Sequence, residues 1–401
     1  MRTMKRSICI FMMLPLLQCC MEMSGTYTAL NTLKVTAMYP EGYSSFRRAG
    51  VEVTAENVSN GYLFRGETSD DGSATITLPN GIYRVSVSDR IGTSIFNGAS
   101  DRVRVCDGNE SIDLPLVYSK AGTLVIKEVY TGGCSKFPQE GTYQSDKYFI
   151  IHNNDSRTAY LDSLCFGTLF PWNSTSSNPW SDNPAYTLDN VVIGQAIWQF
   201  GGDGTTFPLA PGEDAVVVLC GAIDHSMQYP LSVNLNNEDY FVVYNLTYLT
   251  MTSYHPAPGD RIRQERIIGC PEYFGQAKAV TISMNSPTLV LFRAEGMTIQ
   301  EYLSSTPQSQ VPGGSEKVRP IPVEWVIDGM EAFNGASVSN SKRLSAKVDA
   351  GYVSFSEVYK GRTLMRRTDE AASAEKGYEV LMDTNNSTTD FYERETQSLH
   401  K

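Results

Sequence analysis

With 401 residues the chain has room for two or three domains at roughly 150 residues each, each large enough to bury its own core. Apolar residues at 41% and charged residues at 19% exclude a disordered chain and a long coiled coil. A balance of 33 basic against 44 acidic side chains gives a formal charge of -11, which repels phosphate backbones and argues against a nucleic-acid partner.

The N-terminus reads as an address. Arg2, Lys5 and Arg6 precede the apolar run Ile8 to Leu17, too short to span a bilayer and matching a signal-peptide core. The run stops at Leu17-Gln18-Cys19-Cys20, which resembles the lipobox of bacterial lipoproteins in the looser form found in Bacteroidota. Cys20 has Leu17 three residues before it and compact Cys19 next to it; Cys19 has Leu16 and bulky Gln18 in those places. Lipidation is therefore expected at Cys20, with Cys19 the alternative register. Residues 1–19 are the expected signal peptide and 20–29 a tether. The resemblance implies an outer-membrane protein held by acyl chains, displayed at the cell surface or facing the periplasm. An ordinary secretory signal with incidental cysteines is the competing reading. Cys106, Cys134, Cys165, Cys220 and Cys270 follow at wide spacing, none in a CxxC. Free buried thiols are the expectation for most of them.

Residues 30–118 alternate with the period of half-buried strands: Leu33, Val35, Ala37; Val51, Val53, Ala55; Ala74, Ile76, Leu78; Tyr83, Val85, Val87. Ser69-Asp70-Asp71-Gly72 and Pro79-Asn80-Gly81 read as hairpin turns. The run Gly50-Val51-Glu52-Val53, Thr68 to Gly72 and Leu78 to Tyr83 resembles the prealbumin-like fold of carboxypeptidase regulatory domains, which implies a small β-sandwich serving as spacer or docking module.

Residues 120–401 read as a second, larger sandwich. Leu124 to Tyr130, Lys147 to Asn154, Tyr160 to Cys165, Ala196 to Phe200 and Leu209 to Leu219 supply its strands. Lys127-Glu128-Val129-Tyr130, Tyr148 to Asn153 and the Leu209-Ala210-Pro211-Gly212 turn resemble the lamin-tail type of immunoglobulin-like domain. Long insertions are expected at 166–190, 247–270 and 305–322. Val380 to Ser387 reads as a last strand, with a frayed tail after Phe391. The fold class is thus all-β. The combination of lipobox and two such domains resembles the uncharacterised Bacteroidota lipoprotein family DUF4876. That resemblance implies a TonB-dependent outer-membrane receptor as partner.

The first insertion carries Trp172, Trp180 and Tyr186 among prolines, the second Tyr254 and His255. Long loops are often functional, and exposed aromatic rings bind sugars or partners; the opposing expectation is that the rings fold back onto an open end of the sandwich. From Thr158 to Asp260 there are ten acids and no Lys or Arg. Such a stretch could draw a cation, or it could be a solvated rim. Calcium suits hard oxygen ligands, with Asp203, Glu238 and Asp239 as candidates. There is no HExxH, GxSxG or GxxxxGK[ST]. The expectation is a non-catalytic surface binding protein for a glycan or small molecule; the alternatives are a structural or adhesive module and a glycan-active enzyme.

Overall fold

The computed structural model describes residues 30–106, 108–275 and 277–400. The expected signal peptide, the tether and Cys20 lie outside the described residues.

The first unit has eight strands: β1 (Leu30–Met38), β2 (Glu52–Asn57), β3 (Leu63–Glu67), β4 (Ser73–Pro79), β5 (Gly81–Ile91), β6 (Ser94–Val105), β7 (Asn109–Pro115) and β8 (Val117–Lys120). They form two sheets, ordered β4-β1-β7 and β3-β2-β5-β6-β8. The period-two positions fill the space between them: Leu33, Val35, Ile76 and Leu78 from one sheet meet Val53, Tyr83, Val85 and Phe96 from the other. Gly72 takes a φ of +75°, as a turn glycine should. Neither expected turn closes a hairpin, however. β3 pairs only with β2, β4 only with β1 and β5 with β2 and β6. Ser69–Gly72 and Pro79–Gly81 therefore carry the chain from one sheet to the other. Alternation alone cannot separate a hairpin from a corner between sheets, since both need the same turn residues.

The second unit is also a sandwich. One sheet runs in the order Phe241–Val242, Asp214–Val218, Tyr148–Asn153, Leu124–Tyr130, Thr363–Arg366, Phe391–Arg394. The facing sheet is built on Lys317–Pro322, Asn190–Gln199, Cys165–Leu169, Thr288–Phe292 and Val326–Phe333. Ile126, Phe149, Ile151, Val217 and Leu364 pack against Phe166, Trp198, Leu291 and Met330. The helix Ile299–Ser305, begun by a Thr298/Glu301 capping box, covers the outer face of the second sheet together with Trp325, Leu344 and Val348.

Three readings of the sequence change here. The 305–322 segment is not one loop: Lys317–Pro322 pairs with Asn190–Gly194. Val380 to Ser387 is not a regular strand: Leu381 makes a single bridge to Thr368, and Thr384, Asn385 and Asn386 form a polar bracket to the first unit. Asn97 donates to the carbonyls of Thr384 (2.7 Å) and Asn385 (2.9 Å), and Asn385 donates to Ser119 Oγ at 2.9 Å. Beside the bracket, the Arg84 guanidinium lies over the rings of Phe333 and Tyr352. The tail is docked, not frayed: Gln397 is buried and donates to the Leu231 carbonyl, and Ser398 N–H donates to Glu128 Oε1 at 3.0 Å. All five described cysteines are free. Burial pushes the thiols of Cys165 and Cys220 up to about 12, so neither is a ready thiolate.

Candidate functional site

The five aromatic and histidine candidates do not form one surface. Trp180 is 6% exposed. It stacks on Tyr186 at an interplanar angle of 9° and packs with Val192, Val311 and Val318. The loop folds back onto the sheet and uses this ring mostly as core, though Trp180 also borders a separate cleft with Arg102, Asn178 and Lys342. Tyr186 is half-buried as its stacking partner. Tyr254 is half-buried against the main core, its hydroxyl accepting from Gln144 at 2.8 Å. His255 is buried, so it is no contact residue either. Its Nε2 accepts from the Val280 N–H at 3.2 Å, its Nδ1 has no partner, and burial lowers its pKa to about 4.

Trp172 is different. It is only half-buried, stands edge-on to Phe170 at 5.0 Å, and lines a pocket of about 300 Å³ with Phe274, Ala277, Thr281 and Lys317. Its indole N–H is buried without a hydrogen-bond partner and lies over Gly194, where a Cβ would stand 3.0 Å from it. Gln195 builds the opposite wall. Its backbone is left-handed (φ +62°), a conformation uncommon outside glycine. Its side chain accepts from the Thr281 N–H at 2.5 Å and donates to the Ala279 carbonyl at 2.6 Å, while its own carbonyl accepts from Phe274 N–H at 2.7 Å. Phe274, Ala279 and Thr281 are thus pinned by Gln195, and Val280 by His255. Sequence reading missed Gln195 and Phe274, because nothing in their local spacing signals a shared wall.

Two of the three expected cation ligands already have partners. Glu238 faces Arg263 at 2.6 Å and Arg261 at 3.3 Å, and these arginines hold its carboxyl low. Asp203 accepts from Thr205 and Thr206 within its own turn. Asp239 is exposed. Burial works to raise the pKa of Asp162, but N–H groups of Phe207, Thr206 and Gly204 bind its carboxylate and lower it. The acidic stretch is therefore partly neutralised by basic residues from outside it. Among the described residues, His152, Asp214 and Glu379 form the one cluster with metal-ligand spacing. The ammonium of Lys127 occupies it, 2.7 Å from Asp214 and 2.6 Å from Glu379. His152 uses both ring nitrogens, on Asp214 Oδ1 and the Glu379 carbonyl. Millimolar calcium should accordingly leave the thermal midpoint unchanged. A ligand that binds only the folded state must raise it, so a clear calcium-dependent rise in a melting curve would reinstate a site.

Residues 210–398 match the family model DUF4876, described as a protein of unknown function. The match covers somewhat less than half of the chain, at its C-terminal end. A crystal structure of a DUF4876 family protein from Bacteroides thetaiotaomicron is similar over 90% of this chain and 94% of that one, at 23% identity and a TM-score of 0.58. That likeness shows a shared fold. A putative adhesin from Bacteroides ovatus aligns over 75% of this chain and 85% of its own at 9% identity, but its TM-score of 0.20 carries no argument. No curated protein matches the chain.

Proposed function

We propose that this protein is a non-catalytic, lipid-anchored binding protein of the outer membrane, displayed at the cell surface beside a TonB-dependent receptor. It holds a small ring-bearing ligand, a sugar or similar molecule, between Trp172 and Phe274. The prealbumin-like unit acts as spacer next to the Cys20 anchor, and the lamin-tail-like unit carries the ligand.

The observation that carries this reading is the pocket itself. A half-exposed indole and a phenyl ring line about 300 Å³ of free space together with Gln195, Thr281 and Lys317, the combination of apolar wall and sparse polar groups typical of small-ligand sites. The ion networks around Arg366 and Glu331 lie elsewhere, with their central side chains buried. The lipobox supports the anchor, and the family resemblance supports the receptor.

Purification of the native protein from its membrane, with mass spectrometry of what accompanies it, tests the proposal. The wild type should bring down an outer-membrane receptor and a small molecule. Trp172→Ala should lose the small molecule by about tenfold, near 1.4 kcal/mol, and keep the receptor. Deleting the whole loop is the wrong probe, since Trp180 is core. Recovery in the soluble fraction, or equal small-molecule recovery with Trp172→Ala, would refute the reading.

A further inference from the structure

The solvent face of the first unit's larger sheet meets residues 384–389 across a cleft of about 370 Å³. The alternation of β5 decides which side chains reach it. Val85 and Val87 point to the core, and Asp89 is turned inward with its carboxylate held by Tyr39 and Arg48, both at 2.6 Å. Ser86, Ser88 and Arg90 face the other way. Strand register places Thr54 opposite Ser86 and Arg65 opposite Thr54, so hydroxyls and guanidinium groups share one face. Arg367 comes from the opposite wall, stacked 5.1 Å from the ring centre of Tyr392.

The charge of this cleft reverses that of the chain. Arg65 has Glu52 at 3.3 Å, both side chains more than half exposed, a pairing that contributes little. Among the described residues, no carboxylate pairs with Arg90 or Arg367: Arg90 donates to the Gly92 carbonyl at 3.1 Å, and Arg367 rests on its tyrosine. Three guanidinium groups thus stand against one exposed acid in a protein of net charge -11, a local positive field. Planar forks of this kind suit carboxylate and sulfate groups. Thr54 and Ser86 hydroxyls bond each other at 2.7 Å, and the Ser88 hydroxyl donates to Asn97 and accepts from Asn386 at 3.3 Å, which orients these hydroxyls and leaves each at least one lone pair for a ligand's own hydroxyls.

We propose that this cleft binds an acidic saccharide, with Arg90 and Arg367 on its anionic groups and the Thr54–Ser86–Ser88 hydroxyls on its ring. The inference stands apart from the Trp172 pocket. Calorimetric titration of the full chain with a hexamer of galacturonate, a chondroitin sulfate hexasaccharide and neutral maltohexaose tests it. At least one acidic oligomer should bind at about 50 mM salt and weaken clearly at about 300 mM, and maltohexaose should not bind. Which acidic oligomer binds separates carboxylate from sulfate as the recognised group. The Arg90→Ala/Arg367→Ala double variant should weaken binding about tenfold or more with its melting curve unchanged, because both side chains are exposed, while Trp172→Ala should leave it intact. No binding of either acidic oligomer, equal binding of maltohexaose, undiminished binding by the double variant, or loss with Trp172→Ala would each overturn the proposal.

Discussion

Replacing Arg366 with methionine should cost the protein about 3–5 kcal/mol or more at neutral pH, and acidification should recover part of the loss. Arg366 is fully buried, 2.6 Å from Asp328, 3.4 Å from Asp390 and 3.5 Å from Asp383, with Nε donating to the Ile126 carbonyl. One cation serves three buried carboxylates, and Asp383 Oδ1 has no hydrogen-bond partner at all. Breaking a buried pair by removing one partner costs about 3–5 kcal/mol, against a total of about 5–15 kcal/mol for a folded protein. Here the stranded charge is larger than in a simple pair. The pH dependence has a definite sign. Burial pushes Asp328 up to about 7 and Asp390 to about 6, whereas an unfolded carboxyl titrates near 4. Between these values the folded state holds more protons, so stability from this cluster is complete below about pH 4 and is lost as pH rises through 6 to 7. Without the guanidinium both acids move higher still, and the variant's deficit grows with pH. His255, lowered to about 4, acts in the opposite direction but cancels between variant and wild type. Urea melts of both proteins at about pH 5 and about pH 8 measure the difference; an equal deficit at both would show that these carboxylates do not carry it.

The strands of the first unit were legible because each hides one face and wets the other: Leu33, Val35 and Ala37 are buried while Lys34 is exposed. The larger sandwich was legible where apolar runs are dense, as in Leu124 to Tyr130. Lys317–Pro322 was not, since Pro320 and Pro322 argue against a strand. It survives because Ser309–Gln310 pairs only with Val318 and Lys317, so the prolines fall where the outer edge carries no ladder. The buried ion clusters were invisible for another reason. Asp328 and Arg366, or Glu331 and Arg343, are single letters many residues apart, and only the sheet order makes them neighbours. The same holds for the two clefts. The arginines of one come from β3, β5 and a segment nearly 300 residues later. In the other, Trp172 stood out by its residue type, but Gln195 and Phe274 needed the fold. The acidic stretch misled because sequence position hid its partners: Lys127 precedes it, and Arg261 and Arg263 follow it.

Arg343 joins this buried chemistry to the proposed ligand pocket, and its loss should damage both. Its Nε donates to Glu331 Oε1 at 2.8 Å, Nη2 to the Ala332 carbonyl at 2.8 Å, and Nη1 to the carbonyls of Trp172 (3.1 Å) and Ser286 (3.0 Å). The guanidinium therefore fixes the backbone on which the Trp172 ring stands. In Arg343→Met the Glu331 carboxylate keeps Lys342 at 2.8 Å, so the stability loss should fall near the lower end of the range, about 3 kcal/mol. Arg343→Lys retains the charge but cannot span four acceptors with a planar fork. It should cost less stability than the methionine variant and still free the Trp172 carbonyl. Hydrogen exchange distinguishes these effects, because it reports local opening separately from global unfolding. In the lysine variant, amides around Trp172 should exchange faster while those of β1, β5 and β6 keep their protection, and retention of the co-purifying small molecule should drop. Unaltered exchange around Trp172 would mean that the loop is held by its own packing on Phe170 and that Arg343 serves the core alone.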